Sequence, residues 1–82
     1  MTRRDRMQIM VSILNTCTRG ANKTRIVYQA NLNFRTVNPY LDLLEKKGLL
    51  QVTEDRTTLY KTTPRGLELI NNFSSINEML NL

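Results

Sequence analysis

The side chains with most to offer a ligand stand close together in residues 33–39, NFRTVNP, where Arg35, Thr36 and Asn38 follow one another almost directly. Arg35 carries the forked donor that pairs with the two major-groove acceptors of guanine, and Asn38 has the donor and acceptor that match adenine. Thr36 offers a methyl to thymine or a hydroxyl to a phosphate. Upstream, Lys23, Thr24 and Arg25 gather where a short helix should begin, a place where side chains and unpaired backbone N–H groups together suit a phosphate. Asn33 and Tyr40, on either side of the triplet, are assigned to backbone contacts as well. Arg56 sits at the tip of the charged turn EDRT, from which it can reach an adjacent minor groove. Glu54 and Asp55 beside it oppose close approach to phosphate. The cluster RRDR, residues 3–6, reads either as a basic arm along the backbone or as a solubilising terminus. The bland reading of all these groups is a solvated helix face.

Other chemistries lack their residues. The chain has no histidine and a single cysteine, Cys17, so the common zinc-ligand sets and an internal disulfide are excluded. No glycine-rich phosphate loop occurs, nor paired carboxylates with a nucleophile. No enzyme activity, cofactor or metal is therefore expected. Cys17 falls on an apolar stripe and reads as a small buried residue. The net charge is +5 with a pI near 9.9, and it is unevenly spread. Residues 1–41 hold seven Lys or Arg against Asp5 alone, whereas residues 42–82 hold five against six acids. A polyanion partner fits that basic first half. No apolar run approaches the roughly 20 residues that cross a bilayer, and no cleavage signal follows the first residues, so a cytoplasmic, nucleoid-associated location is expected.

The elements that must position these groups follow from periodicity. Ile9, Met10, Ile13, Leu14 and Cys17 make one stripe of a helix over residues 3–18. Gly20 breaks the pattern and Asn22 caps a second, two-turn helix with Ile26, Val27 and Ala30 inward. After the tight turn NLN, Asn33 caps a third helix whose stripe is Phe34, Val37, Leu41 and Leu44, with Tyr40 at its border. Gly48 and Leu49 mark its end. Pro39 would remove a backbone bond inside this helix, so either a kink or a start at Asn38 is called for, and the longer helix with a distortion fits the stripe better. LLQVT and TLYKT, around EDRT, form a two-stranded hairpin. Thr63 and Pro64 then start a last helix over residues 64–80.

That order is a winged helix-turn-helix, an α+β and mainly helical fold of three helices and a two-stranded β-hairpin wing, followed by a C-terminal helix. In KTRIVYQANL, YLDLLEKKGLL and YKTTPRGLELI the chain resembles the archaeal winged helix-turn-helix predicted transcriptional regulators. It is also similar in plan to small archaeal winged-helix chromatin proteins that dimerise through the last helix. Residues 1–82 are read as one DNA-binding domain. On the last helix, Leu67 and Ile70 are expected to close the domain's own core. Leu69, Phe73, Ile76 and Leu80 recur at spacings of four, three and four, a heptad-like seam for a homodimer. A domain of 82 residues leaves much apolar surface uncovered, which favours a second copy. The expected function is a dimeric, sequence-preferring regulator on double-stranded DNA, with helix 3 in the major groove. Alternatives are a sequence-tolerant architectural protein and a protein-interaction module.

Overall fold

The computed structural model describes residues 5–80. In chain order these form α1 (Arg6–Thr16), α2 (Lys23–Ala30), α3 (Phe34–Lys46), β1 (Leu50–Glu54), β2 (Thr58–Thr62) and α4 (Pro64–Leu80). The architecture is the mainly helical winged arrangement expected from the sequence.

Capping sets the helix bounds. The Asp5 carboxylate accepts the Gln8 N–H at 2.8 Å while Gln8 Oε1 accepts the Asp5 N–H at 3.0 Å. This reciprocal box starts α1 at Arg6, not at residue 3, because it satisfies the orphan donors of the first turn. Residues 3 and 4 of the basic cluster lie outside the described residues. Asn22 and Asn33 cap α2 and α3, accepting the N–H groups of Arg25 and Thr36 at 2.9 and 2.7 Å. At the other ends the chain turns left-handed at Asn31 (φ 55°) and Gly48 (φ 75°). There the Leu32 N–H reaches Val27 O and the Leu49 N–H reaches Leu44 O, which closes both helices by the Schellman pattern. α3 runs through Pro39 as one helix. Its missing N–H leaves the Arg35 carbonyl without a helical donor, on an exposed turn where water can take its place.

The core joins Ile13, Leu14 and Cys17 of α1 to Ile26, Val27 and Ala30 of α2, Val37, Leu41 and Leu44 of α3, and Leu50 of β1. Phe34 does not join it and is 51% exposed. As the first residue of α3 its side chain leans back toward the helix N-terminus, past the innermost layer at Val37. The hairpin pairs Leu50 with Thr62 and Val52 with Tyr60. Ala21, a loop residue by its side-chain pattern, adds a third edge by exchanging two hydrogen bonds with Tyr60, at 2.9 and 2.8 Å.

Two threonines anchor the wing and α4. Buried Thr62 donates its hydroxyl to Leu14 O at 2.6 Å and its N–H to Cys17 O at 2.9 Å, which fastens the wing to the end of α1. The Thr63 hydroxyl donates to Gly48 O at 2.7 Å and accepts the Gly66 N–H at 3.1 Å, tying the end of α3 to the start of α4. Gly66 fixes how α4 rolls: a Cβ there would lie 2.5 Å from Leu49 O and 2.6 Å from Thr62 Cγ2. The face that carries Gly66 therefore turns inward, and Leu69 and Ile70, three and four residues on, pack against the core. Leu67 is about 100° off that face and is exposed, so it does not close the core as the sequence suggested, and Leu69 packs there with Ile70 instead.

Candidate nucleic-acid interface

With Val37, Leu41 and Leu44 buried, the opposite stripe of α3 is Arg35, Pro39, Asp42 and Lys46, all exposed. Asn38 lies about 60° from Arg35 on the helix, within one turn of it, so these two expected base-contact residues share a face. Thr36 is about 160° from Asn38 and belongs to another edge. There it lines an apolar groove with Pro39, Tyr40, Leu43 and, from the first turn of α1, Arg6. Tyr40 is half-buried against the core, and its ring forms a wall of that groove. Arg6 is a cation the sequence hid inside an ambiguous basic cluster. The capping box that fixes the start of α1 brings it beside α3.

The expected phosphate contacts on α2 are not held together. Lys23 lines a groove between α3 and the wing with Asp42, Glu45, Glu54, Val52, Thr58 and Tyr60. Arg25 is about 160° away around the helix, in a cleft against the end of α1 with Asn15, Arg19 and Gln29. Thr24 shares a third flank with Tyr28, four residues on, whose ring is 80% exposed. Periodicity marks that aromatic only as a residue outside the apolar stripe. At the N-termini, the N–H groups of Arg25 and Thr36 are taken by Asn22 and Asn33. The N–H groups of Lys23, Thr24 and Arg35 have no helical acceptor ahead of them. Arg56 is exposed at the wing tip, where the Asp55 N–H closes a tight turn onto Thr57 O.

The groove between α3 and wing is electronegative. Burial, and then the carboxylates of Asp42, Glu45 and Glu54 with a smaller part from Cys17, push the Tyr60 phenol above its ordinary range. Cys17 itself is fully buried, and desolvation raises its thiol to about 12 against a smaller opposing pull from Arg25. It stays a protonated core residue at neutral pH. Among the described residues no group of His, Cys, Asp or Glu is arranged to hold a metal, and no helix is long and apolar enough to cross a membrane.

Along α4, Phe73 is half-buried while Ile76, Met79 and Leu80 are 54%, 84% and 61% exposed. Of the four seam residues, Leu69 is thus committed in part to the protomer's own core, and Phe73, Ile76 and Leu80 continue the same side of the helix outward.

A family model described as winged helix-turn-helix matches residues 3–81. The fold is similar to that of Sso10a-2, a DNA-binding protein from Sulfolobus solfataricus, with a TM-score of 0.80 and 36% identity over 95% of this chain and 86% of that one. An uncharacterized protein of Methanocaldococcus jannaschii is 28% identical over 80 residues, 96% of this chain and 79% of the relative. BpsR of Bordetella bronchiseptica, a protein whose DNA binding is regulated by 6-hydroxynicotinic acid, shares the fold at a TM-score of 0.78 and 22% identity, over 89% of this chain and 56% of its own.

Proposed function

The chain belongs to the winged helix-turn-helix family, and we propose that it is a homodimeric DNA-binding regulator of transcription that inserts the first turns of α3 into the major groove. The observation that carries this reading is the common face of Arg35 and Asn38 on a helix capped at both ends and backed by buried Val37, Leu41 and Leu44. Such a helix holds a guanine-matching and an adenine-matching side chain without further ordering. Lys23 and Thr24 with their open N–H groups, Asn33, Tyr40 and Arg6 then meet phosphates on the flanks. Arg56 extends the wing toward the minor groove. Phe73, Ile76 and Leu80 bury against a second copy, with Leu69 at the edge of that contact, which gives two reading heads related by a two-fold axis. The solved relative from Sulfolobus solfataricus, itself described as DNA-binding, supports the choice of ligand.

A second reading has its own observation. Pro39 and Asp42 occupy the middle of the outward stripe, and a carboxylate there opposes deep seating along the whole helix. An architectural protein that binds duplexes through phosphates with little base preference would tolerate that. Both readings predict fluorescence anisotropy on a mixed-sequence duplex that weakens steeply with salt, with a log–log slope of about −0.9 per neutralised phosphate. Operator selection then separates them: one preferred site whose advantage disappears in Arg35→Ala supports the regulator, and equal affinity for all duplexes supports the architectural role. No binding at low salt would sink both and leave a protein-interaction module.

A further inference from the structure

The cleft between the end of α1 and α2 is left unexplained by a DNA contact made through α3. It is lined by Asn15, Thr16, Thr18, Arg19, Gly20, Arg25 and Gln29, two cations and a set of neutral hydrogen-bonding groups without one carboxylate. Between Arg6 and Leu41 the sequence contains no acid at all. Among the described residues neither Arg19 nor Arg25 has an ion pair or a side-chain hydrogen bond. The simplest internal duty for them would be to satisfy the carbonyls at the end of α1. Four of the carbonyls there are already taken, Ile13 O by the Cys17 N–H, Leu14 O by the Thr62 hydroxyl, Asn15 O by the Thr18 N–H and hydroxyl, and Cys17 O by the N–H groups of Gly20 and Thr62, and neither arginine reaches the one at Thr16. Both guanidinium groups are therefore unspent, beside two amides, in a concavity of about 440 Å³. Forked donors and amides at one place match the oxygens of a phosphodiester.

We propose that this cleft is a second backbone-phosphate site on each protomer, and that it holds a duplex other than the one met by α3. The proposal rests on the DNA-binding reading and extends it. Arg25 points about 160° away from Lys23 around α2, so a single straight backbone cannot pass both. The cleft is also walled by α1, on the flank of α2 away from the α3–wing groove. Its donors are charged and amide groups without an apolar or aromatic platform, which suits a sugar-phosphate edge and not an unstacked base.

The test counts short duplexes of about one helical turn, each too small to span two sites, bound per protomer at saturation in low salt. The wild-type protein is expected to take two, the second more weakly. Arg19→Gln with Arg25→Gln should reduce the count to one and leave the first duplex bound with unchanged affinity, while Arg19→Lys with Arg25→Lys, which keeps the charge, should retain a weakened second step. Loss of the second step should lower the overall log–log salt slope by about 1.8, two phosphates' worth. Arg35→Ala serves as the control for the reading face and should spare the second step. A wild-type count of one, or a count of two in the glutamine variant with its melting temperature unchanged, overturns the proposal and leaves the α3 contact intact. No duplex bound by the wild type at all would instead be the failure of the DNA-binding reading itself.

Discussion

The face made by α2 and α3 and the outer half of α4 both expose side chains that a closed domain would cover, and they differ in what those side chains are and in what stands behind them. On the first, Arg35, Asn38 and Tyr28 project from helices whose caps are made and whose inner sides are buried. On the second, Ile76, Met79 and Leu80 are apolar, and they lie on the last turns of a helix anchored only at its other end by Thr63 and Gly66. Exposure of polar groups on a rigid support is a finished surface, ready for a charged ligand. Exposure of aliphatic groups on an unsupported helix end favours burial against a further surface. On the proposed reading, binding belongs to the one region and assembly to the other.

The sharpest way to break this division is Ile76→Asp with Leu80→Asp. If the outer half of α4 buries against a second copy, both protomers lose two aliphatic contacts, each worth about 2–5 kcal/mol, and the dimer should weaken by at least about a thousandfold. Sedimentation equilibrium measures this, and circular dichroism should show the winged domain still folded, since neither residue touches its core. A wild-type protein that is monomeric at tens of micromolar would remove the second region from the comparison.

Gly66→Ala attacks the anchor that both regions share. The added methyl meets a backbone carbonyl and Thr62, neither of which can swing aside, so a loss of about 1–3 kcal/mol is expected. For a domain of this size each kcal/mol lowers the melting temperature by about 4–8 °C. An unchanged melting curve would mean that α4 does not sit against Leu49 and Thr62 in solution. Arg35→Ala comes next and touches only the first region: discrimination among duplexes should fall by about 1–3 kcal/mol with the melting temperature and dimer unchanged. Equal losses on every duplex would turn Arg35 from a reader of bases into a phosphate contact.

Much of this was legible in the residues. Helix stops at Gly48 and starts at Asn22, Asn33 and Thr63 could be read because a cap is a local event, settled by one side chain and the next turn. The inward sets of α2 and of most of α3 could be read because periodicity over two or more turns leaves one buried face. What failed was decided by distant groups. Phe34 fits its stripe, but no neighbouring element extends far enough to cover it. Leu67 stands three residues before Ile70 and so looks inward by spacing, and only the close approach of Gly66 to Leu49 and Thr62 turns it outward and brings Leu69 in. Ala21 joins the hairpin edge through backbone groups that no side-chain pattern reports. At the candidate interface, residue type singles out Arg35 and Asn38, and helix geometry sets them within one turn of each other. Sequence adjacency does not bring Lys23 and Arg25 to one groove, since residues two apart on a helix look in nearly opposite directions.

The smallest effect bears on the boundary of the binding face. Asp42, Glu45 and Glu54 crowd the groove that Lys23 also lines, so the phosphate-attracting surface should end there and not continue onto the wing. At about 10 Å from a phosphate in water, each carboxylate opposes binding by about 0.4 kcal/mol. Asp42→Asn should therefore tighten DNA binding about twofold at low salt, and the triple change with Glu45→Gln and Glu54→Gln about eightfold, with both gains shrinking as salt screens them. Tyr60 gives a readout that needs no DNA. Its phenol is raised by burial first and by these three carboxylates next, so removing them should lower its titration midpoint toward the ordinary tyrosine value while burial still holds it above. Ultraviolet absorbance follows that ionisation directly. A midpoint that does not move would show the carboxylates turned to solvent and away from the groove, and the acidic margin of the binding face would then have no structural basis.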